Sequence, residues 1–152
     1  MNNTHSIFKP LTEIATVERA QKSKVYPIGT LYIQVSACKR AGEEAWGILG
    51  MPQGLDSKYA VAIPKIEVVP KYLQLALEAV TPEWHKKYVG TNINISMDAF
   101  KYLEVGIDMN IANQMQVVNY FRTVERRAQL LEEQIKREQQ VKRWCLCKMF
   151  PE

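Results

Sequence analysis

Six apolar residues, Val117, Phe121, Val124, Ala128, Leu131 and Ile135, recur at alternating intervals of four and three, the period of a helix that lies along another helix. The helical pattern runs without glycine or proline from about residue 111 to about residue 149, roughly 55 Å at 1.5 Å per residue. One chain of 152 residues is not expected to cover such a seam by itself. The expected plan is therefore a globular head built from what precedes the helix, with the seam left for dimerisation or for docking a partner. Such a plan suits a positioning or recognition subunit better than a self-contained enzyme.

The boundary is expected near residues 108–113, where strand-like alternation gives way to the heptads, so residues 1–110 form the head and residues 111–150 the long helix. Within the head, Leu11, Ile14 and Val17 stand at helical spacing with Thr12 as a cap, which predicts a short opening helix over residues 11–20. Tyr26-Pro27-Ile28-Gly29 reads as a turn, and residues 30–37 and 58–64 read as strands. Pro70 opens a helix with Tyr72, Leu73, Leu77 and Val80 on its apolar face, and Pro82 is expected to close it or to start the next turn. Residues 88–96 alternate as a strand does, residues 97–102 form a turn or short helix, and residues 103–107 a last strand. The fold class is α+β: a small β-rich head with short helices, followed by a long C-terminal coiled-coil helix.

Bulk properties narrow the function mainly by exclusion. No apolar run approaches the roughly 20 residues needed to cross a bilayer, and the first ten residues lack the apolar core of a signal peptide. The expected location is the cytoplasm, with no membrane association and with the three cysteines, Cys38, Cys145 and Cys147, as reduced thiols. Net charge is +4, but residues 1–112 hold 12 Lys or Arg against 11 Asp or Glu, while residues 113–152 hold 8 against 5. That is far from the strongly basic footprint that would by itself argue for nucleic acid.

No phosphate-cradling glycine loop is present. His5 and His85 stand apart from any other ligand or nucleophile, which leaves a histidine triad or zinc site little to build on. His85, beside Lys86 and Lys87, is expected at the surface. Cys145 and Cys147 are one residue apart, the wrong interval for a metal knuckle, so no metal and no cofactor is expected.

Three clusters are candidates for contact with a ligand. Lys86 and Lys87 with Trp84 and Tyr88 mix cation and aromatic, which can hold phosphate and stack a base; a solvated helix end over a core tryptophan has the same spelling. Ser36, Lys39 and Arg40 leave a strand into a glycine-rich loop from which side chains can reach a ligand, or form an exposed turn. Asn92 and Asn94 would share one strand face, from which amides can read adenine edges, or else satisfy strand ends.

The combination says more than its parts. Tyr26-Pro27-Ile28-Gly29-Thr30, then Gln34-Val35-Ser36-Ala37, Leu55-Asp56-Ser57-Lys58-Tyr59-Ala60-Val61, Pro70-Lys71-Tyr72-Leu73 and Asn92-Ile93-Asn94-Ile95-Ser96, with Gln114 opening a long helix that ends Lys148-Met149-Phe150, resembles one half of a type I restriction-modification specificity subunit. The resemblance covers most of the chain, from about residue 11 to residue 150. It implies a target-recognition domain followed by a helix, a pair normally present twice in one polypeptide with the two helices antiparallel, so that two domains grip a bipartite DNA site.

With one copy, the chain is expected to dimerise through its helix or to pair with another specificity subunit. The resemblance implies double-stranded DNA as ligand, and as partners a DNA methyltransferase (modification) subunit, with or without a restriction subunit. Lys39, Arg40, Lys86 and Lys87 would then contact phosphates, and Ser36, Asn92 and Asn94 base edges. The chain itself would be no enzyme, since the adenine-methyltransferase signature Asn-Pro-Pro-Tyr is absent. The alternative is a truncated specificity-subunit-like interaction protein that pairs with and regulates or inhibits such a complex without reading DNA. The near-neutral head favours that reading, and the motif order favours the first.

Overall fold

The structure is a computed structural model that describes residues 6–37 and 45–150. The chain divides into two units, residues 1–115 and 116–152. Described in chain order, the first unit contains β1 (Ile7–Pro10), α1 (Leu11–Ile14), β2 (Ala15–Arg19), β3 (Val25–Tyr26), β4 (Leu31–Gln34), β5 (Gly47–Ile48), β6 (Gln53–Gly54) and β7 (Tyr59–Pro64). The helix α2 (Pro70–Tyr88), a 3-10 helix (Met97–Tyr102) and β8 (Glu104–Ile107) follow, and α3 (Ile111–Met149) begins in this unit and makes up the described part of the second. This is the α+β architecture that the sequence predicts.

The main sheet has the order β2-β7-β4-β5 with every pair antiparallel. Strand β7 lies between two neighbours and buries Ala60, Val61 and Ala62 in succession, whereas β4 alternates buried Leu31 and Ile33 with half-buried Tyr32 and Gln34. Both strands have neighbours on both edges, so the continuous apolar run of β7 reflects cover on both of its faces. One core cluster comprises Ala20, Tyr26, Leu49 and Val61, with Tyr32, Leu55, Tyr59 and Ile63 against it. Helix α2 packs against β5, β8 and the 3-10 helix. Buried side chains on and against it are tied by hydrogen bonds: the Trp46 indole donates to Thr81 Oγ1 at 2.9 Å, Thr81 donates to Leu77 O at 2.6 Å, and the Trp84 indole donates to Ala99 O at 2.8 Å.

Two glycines are dictated by geometry. Thr30 N–H donates to Pro27 O, and Gly29 takes φ +83° in that turn, a conformation that a side chain would strain. At Gly47, which pairs with Tyr32, an added Cβ would lie 2.3 Å from the tyrosine ring.

Four expectations need correction. The opening helix is only Leu11–Ile14, without a side-chain cap from Thr12, and residues 15–19 are strand β2. Val17 matched a helical spacing, but its backbone pairs with Ala62 of β7, and tertiary pairing overrides a short local period. Pro82 does not close its helix, because α2 continues to Tyr88. Proline removes one donor to the carbonyl four residues back; Thr81, Trp84 and His85 are buried around it, and that packing carries the helix through. His85 is accordingly buried, not at the surface.

The fourth correction concerns residues 88–96, which form no strand. Gly90, at φ +67°, ends α2 with its N–H on His85 O at 2.8 Å, a left-handed stop. Of the alternating Ile93 and Ile95, only Ile95 is buried, and its N–H donates to Val35 O at 2.8 Å.

Candidate nucleic-acid interface

The sequence candidates fall in separate places. Ser36 and Asn94 come together where β2 and β4 end and β7 begins. Val35 and Ser36 N–H both donate to Lys58 O, at 2.8 and 3.2 Å. Arg19 Nε donates to Ser57 O at 2.7 Å, and its Nη2 donates to Ser36 Oγ. The Gln34 amide donates to Ser36 O at 2.9 Å and to Ala37 O at 3.1 Å, while Asn94 Oδ1 accepts from Ala37 N–H at 3.0 Å. All this polar bonding surrounds one strained residue. Ala37 has φ +53°, a left-handed conformation that costs a non-glycine residue roughly 1–2 kcal/mol.

Charges at this end are partly paired. Lys24 bonds Glu18, which holds the ammonium above its usual range, and Lys22 lies 3.6 Å from Asp56. The Asp56 carboxyl is held low, first by the Lys58 N–H and then by Lys22. Asn92 does not join this cluster: its amide donates to Val89 O at 3.1 Å, beyond the end of α2. With no strand present, Asn92 and Asn94 share no strand face. Lys39 and Arg40 lie outside the described residues.

Lys86 and Lys87 are exposed in the last turn of α2, where a cation complements the helix dipole. They border a groove of about 710 Å³ whose walls include Glu83, Lys101, Tyr102 and Glu104. Trp84 is 4% exposed and its indole N–H is bonded to Ala99. The exposed rings here are instead Tyr88 and Tyr102, stacked at 4.9 Å and 7°. Lys87 Nζ lies 5.2 Å from the Tyr88 ring centroid, and Lys101 bonds Asp98 at 2.7 Å, holding that carboxyl low. With Lys101 paired to Asp98, the groove sets Glu83 and Glu104 against Lys86 and Lys87, so its field is close to balanced.

The start of α3 is built into the head. Asn110 caps it, with Oδ1 accepting from Ala112 N–H at 2.9 Å. Asp108 accepts from Asn110 N–H and from the Asn113 amide, both at 2.8 Å, and its carboxyl is held below the usual range by those two bonds. Gln114 is fully buried, with Oε1 accepting from Val69 N–H at 2.8 Å and Nε2 donating to Asp108 O at 2.7 Å.

In the second unit the seam residues Val117, Phe121, Val124, Ala128, Leu131 and Ile135 are all exposed, and every residue in 119–144 is exposed with them. Beyond Ile135 the seam positions fall on Glu138 and Lys142, although Val141 and Trp144 are exposed nearby.

Arg19, Gln34, Asp108 and Tyr102 carry structural roles that residue patterns did not single out. Arg19 and Tyr102 act through partners distant in sequence, Ser57 and Tyr88, while Gln34 and Asp108 bond groups a few residues away; periodicity reports on neither kind of pair. Among the described residues no group of three or more His, Cys, Asp or Glu could hold a metal ion, and no helix is long and apolar enough to cross a membrane.

No protein-family model matches the chain, and no curated protein matches it. Two solved structures are similar to it in fold. One is the S subunit of a type I restriction-modification system from M. genitalium, 15% identical, covering 92% of this chain and 44% of that one, with a TM-score of 0.65. The other comes from a structural study of complex assembly and conformational transition of the type I R-M system; it is 16% identical, covers 95% of this chain and 44% of that one, and has a TM-score of 0.70. The chain thus shares its fold with these proteins and spans less than half the length of either.

Proposed function

We propose that this chain is a DNA-recognition half-subunit of a type I restriction-modification complex, which pairs through α3 and directs a separate methyltransferase. The observation that carries this reading is the fold likeness over 95% of this chain against 44% of its neighbour, the proportion expected of one of two repeated halves. In this reading α3 pairs with a second copy or with another specificity subunit.

The seam supports self-pairing in one antiparallel register, which sets Val117 against Ile135, Phe121 against Leu131 and Val124 against Ala128 on both sides of a two-fold axis. A two-fold pair would read two identical, inverted half-sites. In this reading Ser36 and Asn94 stand nearest to base edges. Lys86 and Lys87 contribute a minor phosphate contact, since Glu83 and Glu104 line the same groove. Lys39 and Arg40 are assigned the phosphate role from sequence alone.

The test is to co-express the chain with the methyltransferase subunit encoded nearest to it, purify through a tag on this chain, and map methylated adenines on genomic DNA. A complex that methylates one bipartite motif, inverted-symmetric if the chain self-pairs, supports the proposal. Co-purification without methylation would favour a regulatory partner that does not read DNA, and no association would overturn both.

A further inference from the structure

Four cations stand where β2 and β4 end and β7 begins, and they are not equivalent. Lys22 and Lys24 face Asp56 and Glu18. Arg19 and Lys58 have no carboxylate partner among the described residues: Arg19 bonds only a carbonyl and a hydroxyl, and Lys58 Nζ rests 5.3 Å from the Tyr59 ring centroid. Both are exposed. The two are neighbours across the sheet, since Arg19 pairs with Ala60, two residues along from Lys58, and its guanidinium reaches the carbonyl of Ser57.

Two bonds fix the plane of that guanidinium. A planar fork held in advance loses little freedom on engaging a phosphate, whereas a free arginine would have to be ordered. The surrounding groups are the Ser36 hydroxyl, which accepts from Arg19, and the amides of Gln34 and Asn94, which bond the backbone of Ala37 in its strained conformation. Strain maintained by two separate side chains is a feature of sites whose local geometry matters. By contrast, the lysines at the end of α2 share their groove with glutamates and have no such net charge to offer.

We propose that Arg19 and Lys58 form a phosphate-contacting edge of the head, set beside Ser36 so that the DNA backbone is gripped next to the residues that face its bases. This rests on the DNA-recognition reading above.

The experiment measures affinity of the full chain, with its methyltransferase if the two co-purify, for a short mixed-sequence duplex across a range of salt. Each phosphate contact contributes close to one unit to the slope of log affinity against log salt, so Arg19→Gln with Lys58→Gln is expected to flatten it by about two units per head. Because Arg19 also ties Ser57 to Ser36, Lys58→Gln alone is the control for folding; its ammonium makes no hydrogen bond among the described residues, and its loss is expected to flatten the slope by about one unit. A wild-type chain that binds duplex with a slope unmoved by Lys58→Gln overturns the edge and leaves the DNA reading standing. Unchanged DNA binding together with loss of the methyltransferase would assign the edge to a protein contact and overturn the proposal likewise. A wild-type chain that binds no duplex overturns both.

Discussion

The head and the long helix bury apolar surface to very different extents. In residues 1–115, Tyr26, Leu31, Ile33, Leu73, Leu77, Phe100 and Leu103 are almost wholly out of water, and each is brought there by partners far away in sequence. In residues 119–144 nothing is buried, although Phe121, Val124, Leu131 and Ile135 are as apolar as anything in the head. The helix satisfies its backbone locally, four residues at a time, and therefore has regular structure without a core. The head has a core but little long regular structure. Regular secondary structure and buried area are separate properties, and only the second makes a unit stable alone.

That contrast can be broken in order of effect. Trp84→Ala removes a buried indole and its bond to Ala99, and is expected to cost the head roughly 3–5 kcal/mol in chemical denaturation. Replacing Gln114 with Ala leaves Val69 N–H and Asp108 C=O without their partner, for a loss of about 1–3 kcal/mol by the same measurement. Val124→Asp with Leu131→Asp should leave that denaturation midpoint of the head within error while converting a self-paired species to monomer in analytical ultracentrifugation. Pairs that survived would place the interface away from the helix.

Smaller effects sharpen the comparison at the junction. Asp108 has a folded-state carboxyl below its ordinary value, so its contribution is fully present above about pH 4, the unfolded range, and is lost as pH falls through the lower folded value. Melting temperatures should therefore drop more steeply in acid for the wild type than for Asp108→Asn. The smallest change is expected from Lys86→Ala with Lys87→Ala, which should lower DNA affinity evenly across sequences and flatten its salt dependence by less than about one unit. An unchanged slope would remove both lysines from the interface.

The same contrast explains what sequence could convey. The helix α3 was legible because its period persists over many residues, and β4 and β7 because each is a short apolar run between turn signals. The two-residue strands β3, β5 and β6 carry no pattern and exist only as pairings. Residues 88–96 had the right alternation for a strand, but Gly90 and the amide of Asn92 finish a helix instead, and among the described residues the segment joins no sheet. At the candidate interface, Ser36 could be found as the end of a strand. Arg19, which fixes it, could not, because in the sequence it is one charged residue at the end of a segment that resembled helix.

Strand β1 pairs with β8, residue for residue from Ile7 with Ile107 to Pro10 with Glu104. The first described strand of the head thus waits for nearly the last before it has a partner, a separation that makes closure slow relative to local structure. During synthesis, the stretch that completes the head leaves the ribosome just before the helix does. An apolar seam that would attract other unfinished chains is therefore made after both strands of the β1–β8 pair have been synthesised.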